Sequence, residues 1–170
     1  MRYSLIEGFN IQNGESATVS VWTQGCPFRC EGCHNSHTWN YKGGKEWTQK
    51  EIDKVLFLLE YPFSKDLAIL GGEALDERNI DDVTELCKLV KEKNKDTKIF
   101  VWTGNNLEDI YDLEIWKYVD AMIVGRFVIS EKIDHHWYGS SNQFIACTSQ
   151  SIIDFCKEGI LVDRKGRKIK

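Results

Sequence analysis

The sequence predicts an α/β fold, a single domain built on an open or partial parallel barrel. Three observations lead there. Short apolar runs alternate with stretches whose apolar residues recur at helical spacing, as in strand–helix–strand crossovers. Such crossovers are right-handed and leave their strands parallel. Four clear strands are too few for a closed eight-stranded barrel, and 170 residues suit one domain with its own core.

The first strand is residues 17–23, "ATVSVWT", β-branched and aromatic. A loop follows at once, "QGCPFRCEGCHN" over residues 24–35, where Pro27 and Gly32 argue against a helix. Thr48 opens the first helix, with Glu51 three residues on as a capping box. Ile52, Val55, Leu56 and Leu59 give it an apolar stripe, and Pro62 lies just past its end. Residues 67–70, "LAIL", read as a buried parallel strand that stops at Gly71-Gly72-Glu73. A second helix starts near Asn79, with Asp81 and Asp82 in its first turn. Ile80, Val83, Leu86, Cys87 and Val90 line one of its faces, which makes Cys87 a core thiol.

Residues 98–102, "KIFVW", form the third strand and end at Thr103-Gly104. Asn106 caps a third helix running through Trp116, and residues 120–124, "DAMIV", form the fourth strand, ending at Gly125. Residues 143–148, "QFIACT", add a last strand. The domain proper spans 1–156. From Lys157 the chain reads as a basic, mobile tail, either solvated or touching a partner. His135-His136 reads as a solvated loop, and Cys147 and Cys156 as structural or incidental.

Hydrophobic residues make up 42% and charged residues 28%, ordinary for a globular protein. A net charge of -4 gives no overall electrostatic case for nucleic-acid binding. The longest apolar run, Val55–Leu59, falls far short of a membrane span, and "MRYSLIEGFN" lacks a signal-peptide core. A cytoplasmic setting follows, with thiols reduced and available to metal.

In parallel α/β sheets the ligand site lies beyond the carboxyl ends of the strands. The cysteine loop, Gly71-Gly72-Glu73, Thr103-Gly104 and Gly125 each follow a predicted strand, so all face one rim. Cys26, Cys30 and Cys33 are three thiols within eight residues. A structural zinc wants four protein ligands, and His34 or His37 would complete a Cys3His set. A [4Fe–4S] cluster usually takes four thiolates, so three leave one iron open to a small molecule. Soft thiolate suits both metals, and spacing alone does not choose.

Cys26-x-x-x-Cys30-x-x-Cys33 resembles the radical S-adenosylmethionine signature, and Gly71-Gly72-Glu73 resembles the second motif of that superfamily. Together "GCPFRCEGCHNSHTW", "VWTG", "VGRF" and "GSSNQ" resemble the activating proteins of anaerobic ribonucleoside-triphosphate reductase, in unbroken order from about Asn13 to Ile145. Gly32 before the third cysteine, where many radical enzymes carry an aromatic residue, favours that branch. The chain departs from the common pattern at Ala74 (usually proline), at His34 (often tyrosine) and in "NGESA" over 13–17, where an Asn-Gly-Pro-Gly-like run is usual.

The resemblance implies a partial barrel of the radical S-adenosylmethionine type and an iron–sulfur oxidoreductase. It implies that Cys26, Cys30 and Cys33 bind a [4Fe–4S] cluster whose fourth iron chelates S-adenosylmethionine. One electron would then break the S–C5′ bond, and the 5′-deoxyadenosyl radical would take hydrogen from a glycine Cα of the reductase large subunit. Gly71, Gly72 and Glu73 would hold the methionine amino group. Gly32, Cys33 and His34 would lie along the cofactor, with Thr103 touching it. A flavodoxin-type protein would supply the electron. No catalytic side chain is nominated, because cluster and cofactor carry the chemistry. Trp22, Phe28 and Trp39 would keep water out or simply pack. The alternatives are activation of another glycyl-radical enzyme, another short radical S-adenosylmethionine reaction, or a non-catalytic Cys3His zinc or iron–sulfur module.

Overall fold

The computed structural model describes residues 1–14, 17–63 and 66–169; Glu15 and Ser16 of the "NGESA" run lie outside the described residues. Strand β1 (Arg2–Asn10) opens the chain and pairs antiparallel with β2 (Thr18–Thr23). Its register shifts between Tyr3 and Leu5 and again between Glu7 and Asn10, so its residues do not alternate cleanly. That irregularity hides it in the sequence. A two-residue strand, β3 (Lys45–Glu46), flanks β1 on its other side.

Helix α1 (Gln49–Leu58) begins at the expected capping box, where the Glu51 carboxylate accepts from the Thr48 backbone N–H at 3.0 Å and its hydroxyl at 2.6 Å. Then come β4 (Asp66–Gly71), α2 (Ile80–Lys93), β5 (Ile99–Thr103) and β6 (Ala121–Val124). β2, β4, β5 and β6 are parallel neighbours, as their crossovers require. The last strand, β7 (Phe144–Cys147), is antiparallel to β6 because the chain returns by a loop and not by a helix. Helix α3 (Gln150–Cys156) and strand β8 (Ile160–Leu161) complete the described elements. The sheet order is β3-β1-β2-β4-β5-β6-β7-β8, mixed and mostly parallel about its centre, with β3 and β8 as separate edges that leave it open.

Strand parity divides the core. Val19, Val21, Leu67, Ile69, Ile99, Val101, Met122 and Val124 face one cluster, shared with α1 and α2. Phe100, Ala121, Ile123, Ile145 and Cys147 face the other, capped by Ile152 and Cys156 of α3 and by Trp137. Along this second face, Trp22, Leu70 and Trp102 near the strand ends reach a cavity.

The expected third helix is absent. Leu107–Ile110 and Glu114–Lys117 are two 3-10 turns, broken at Tyr111 and at Asp112, whose φ is 60°. Tertiary contacts override the helical pattern there: the Trp116 indole donates to Ile110 O at 2.8 Å, and Asp112 N donates to Lys165 O at 2.8 Å. The segment expected as a mobile basic tail therefore carries packed structure. Val162 is buried and bridges to Lys168, while Gly166 lies against the Trp116 ring. Among the described residues no helix is long and apolar enough to cross a membrane.

Candidate functional site

Because β2, β4, β5 and β6 run parallel, the loops that leave their carboxyl ends share one rim. They surround a cavity of about 950 Å³. Cys26, Cys30, Cys33, His34, Gly71, Gly72, Glu73 and Thr103 all line it. Gly32 does not; it is exposed at φ 71°, with Ile129 and Phe127 against its Cα. His37, the other histidine near the thiols, is exposed.

The cysteine loop is held from several sides. Gly25 N donates to Thr38 O at 2.7 Å, and Cys33 N to Cys30 O at 3.1 Å. Gly25 has a φ of 94° and lies against the Tyr41 ring, so a Cβ there would overlap it. The three loop thiols are partly exposed, whereas Cys87, Cys147 and Cys156 are buried. Burial pushes the Cys26 thiol up, against an opposing pull from the backbone of Phe28 and Arg29. The described residues hold no group of three or more His, Cys, Asp or Glu side chains gathered around one metal ion. Three soft thiols on one loop at a cavity mouth, with the other cysteines in the core, fit a cluster that the protein ligates at three corners.

Glu73 has a different setting from an open turn. It is 2% exposed, and its carboxylate is engaged by the protein. Oε1 accepts from the Thr103 hydroxyl at 2.7 Å, Leu75 N at 2.9 Å and Asn105 Nδ2 at 3.4 Å, and Oε2 from Gly104 N at 2.8 Å. A carboxylate offers about four acceptor directions, so one on Oε2 stays open. Burial raises the Glu73 carboxyl above the usual range, against the opposing pull of these donors. Thr103 thus faces Glu73, joining the β5 loop to the β4 loop.

The β4 loop is joined in turn to the cysteine loop. Glu73 N donates to Gly25 O at 2.8 Å, and a Cβ on Gly72 would overlap that same carbonyl. Here glycine is required by the approach of two backbones. Asn79, buried at the start of α2, donates from Nδ2 to Gln24 O at 3.1 Å and Glu73 O at 2.8 Å. Sequence reading recognised Asn79 only as a helix start, since its partners lie up to 55 residues away.

Aromatic residues wall the cavity. The Trp102 indole donates to Trp137 O at 2.8 Å and stacks on its ring at 6.2 Å, and Trp22, Trp39 and Phe127 complete the wall. Phe28 lines it as well, packed on Gly104. Of the histidine pair, His136 is exposed, whereas His135 is half-buried, stacked on Tyr138 and 3.0 Å from Glu158.

Residues 12–146 match the family described as a 4Fe-4S single cluster domain. The chain is 33% identical over 143 residues to the anaerobic ribonucleoside-triphosphate reductase-activating protein of Enterobacteria phage T4, covering 84% of this chain and 92% of that one. It is 31% identical over 151 residues to the protein of that name from Vibrio cholerae, covering 85% and 97%. It is also 36% identical over 91 residues to the pyruvate formate-lyase-activating enzyme of Clostridium pasteurianum, covering 51% of this chain and 38% of that one.

Proposed function

This chain belongs to the family of anaerobic ribonucleoside-triphosphate reductase-activating proteins, and on that premise we propose that it is an iron–sulfur oxidoreductase that installs a glycyl radical on the large subunit of such a reductase. The observation that carries this reading is the division of the six cysteines: Cys26, Cys30 and Cys33 on one rim loop, Cys87, Cys147 and Cys156 in the core. Three thiolates suit a [4Fe–4S] cluster with one iron left for S-adenosylmethionine. When bound, the cluster would supply one electron for the reductive cleavage of S-adenosylmethionine, the chemistry that removes hydrogen from a glycine Cα of the reductase.

The chain's own residues bind, orient and exclude water. Cys26, Cys30 and Cys33 hold the cluster. Gly71 and Gly72 keep the backbone after β4 free of side chains beside the ligand. Their carbonyls, with the open direction on Glu73 Oε2, accept from the methionine ammonium group. Cys33 and His34, which line the cavity where Gly32 does not, run along the cofactor. Thr103 acts by holding Glu73. Trp22, Trp102 and Trp137 keep the chamber dry, which protects a radical from side reactions. No side chain is assigned as a general base, because cofactor chemistry asks for none.

We also assign the open sheet to the partial-barrel type of radical S-adenosylmethionine proteins, the electron to a flavodoxin-type donor, and the setting to the cytoplasm, where thiols stay reduced. Likeness to a pyruvate formate-lyase-activating enzyme over half the chain supports one second reading, activation of another glycyl-radical enzyme. Electron paramagnetic resonance separates the two. Reconstituted, reduced protein with S-adenosylmethionine is mixed with an anaerobic ribonucleotide reductase or with a formate lyase. A glycyl-radical signal on the reductase supports the first reading, and a signal on the lyase alone supports the second. No signal on either overturns both.

A further inference from the structure

The motifs "VGRF" (124–127) and "GSSNQ" (139–143) line or border the rim, yet the reaction assigns them no task. In the structure they form one device. Gly125, at φ 107°, turns the chain out of β6. Its carbonyl accepts from Gln143 Nε2 at 2.8 Å, and the Arg126 carbonyl accepts from Asn142 Nδ2 at 2.9 Å. Gln143 Oε1 also accepts from Gly139 N at 3.1 Å and Ser140 N at 3.2 Å, which closes the second motif on itself. The backbone at 125–126 is therefore fixed by side chains from 142–143.

Arg126 reaches from that base to the cysteine loop. Its Nη2 donates to Phe28 O at 2.7 Å, and its guanidinium lies 5.1 Å from the Phe28 ring centroid. Phe28 and Arg29 lie between Cys26 and Cys30. The carbonyl that Arg126 grips belongs to the same planar peptide as the Arg29 N–H, and in a trans peptide the two point in opposite directions. Gripping that carbonyl therefore fixes the direction of the Arg29 N–H as well. Arg29 itself sits at φ 49°, a left-handed conformation that a non-glycine residue keeps only when its surroundings hold it there.

We propose that Arg126 is a positioning residue for the iron–sulfur site: by gripping the Phe28 carbonyl it holds the left-handed turn between Cys26 and Cys30, and with it the place of the Cys26 sulfur. This rests on the functional reading above, since the sulfur matters as a cluster ligand. Hydrogen bonds to ligand sulfurs and nearby positive charge stabilise the electron added on reduction, and so set the potential. Arg126 supplies the charge itself, and by fixing the turn it fixes which donors the sulfur can meet. It is exposed, so removing it disturbs no core.

The test compares Arg126→Gln and Arg126→Lys with the unchanged chain, each reconstituted with iron and sulfide and matched by circular dichroism. Midpoint potentials come from mediated redox titration without S-adenosylmethionine, and cluster loss from the decay of visible absorbance in a chelator. In Arg126→Gln the potential moves more negative and cluster loss is about tenfold faster, the size expected for losing a charged hydrogen bond. Arg126→Lys, which keeps the charge but not the planar fork, recovers part of the potential. Loaded Arg126→Gln protein with unchanged potential and loss rate would overturn this inference alone. A chain that takes up no cluster would overturn the functional reading and this inference with it.

Discussion

Glu73 shows how one buried side chain organises the rim. Its carboxylate takes donors from Thr103, Gly104 and Leu75, and its backbone N–H reaches Gly25, so a single residue joins the loops after β2, β4 and β5. The cysteines depend on that frame. Cys30→Ala leaves two loop thiols, and we expect no cluster absorbance and no turnover after reconstitution. Cys87→Ser, altered deep in the core, is expected to load a cluster if it folds; visible spectroscopy on both variants checks this. Tyr41 supports the same loop from outside. Burial first, and then the Asp76 carboxylate that its hydroxyl meets at 2.7 Å, push its phenol up to about 12. The unfolded phenol titrates near ~10, so the folded state binds the extra proton between those values. Stability from this group is complete below pH ~10 and is lost as pH rises through about 12. In Tyr41→Phe apoprotein that part of the alkaline decline is expected to vanish, as read from unfolding midpoints across the range.

Among the elements, those with strong local signals were legible in the sequence. β2, β4, β5 and β6 are short apolar runs, and α1 and α2 carry both caps and stripes. For α1 the signal was energetic as well as positional. Thr48→Ala removes one partner of the capping box and should cost about 1 kcal/mol, measurable by denaturant unfolding. What escaped the sequence was set by distant partners. β1 is bulged, β3 and β8 are two residues long, and the helix expected from Asn106 is split by Trp116 and by contacts from Lys165. The rim itself was legible because parallel strands align their carboxyl ends. Its wiring was not: Arg126 meets Phe28 across 98 residues, and no local pattern carries that information.

In the whole molecule, the stable core and the rim are separate. The two apolar clusters cover both faces of the sheet without using Cys26, Cys30 or Cys33. Stripping the metal is therefore expected to leave the sheet and helices intact, unlike a small zinc domain that unfolds when its ion leaves. Far-ultraviolet circular dichroism should hardly change on chelation, with faster hydrogen exchange confined to the loop that carries the thiols. The open sheet leaves a broad chamber walled by tryptophans, with room for a cofactor and access for a segment of another protein. Whether that chamber performs the proposed chemistry comes down to a product count. Protein reconstituted and reduced without oxygen is incubated with S-adenosylmethionine, and 5′-deoxyadenosine is quantified by chromatography. The account predicts its formation in the unchanged chain and none in Cys30→Ala; no product from fully loaded, fully reduced protein would contradict it.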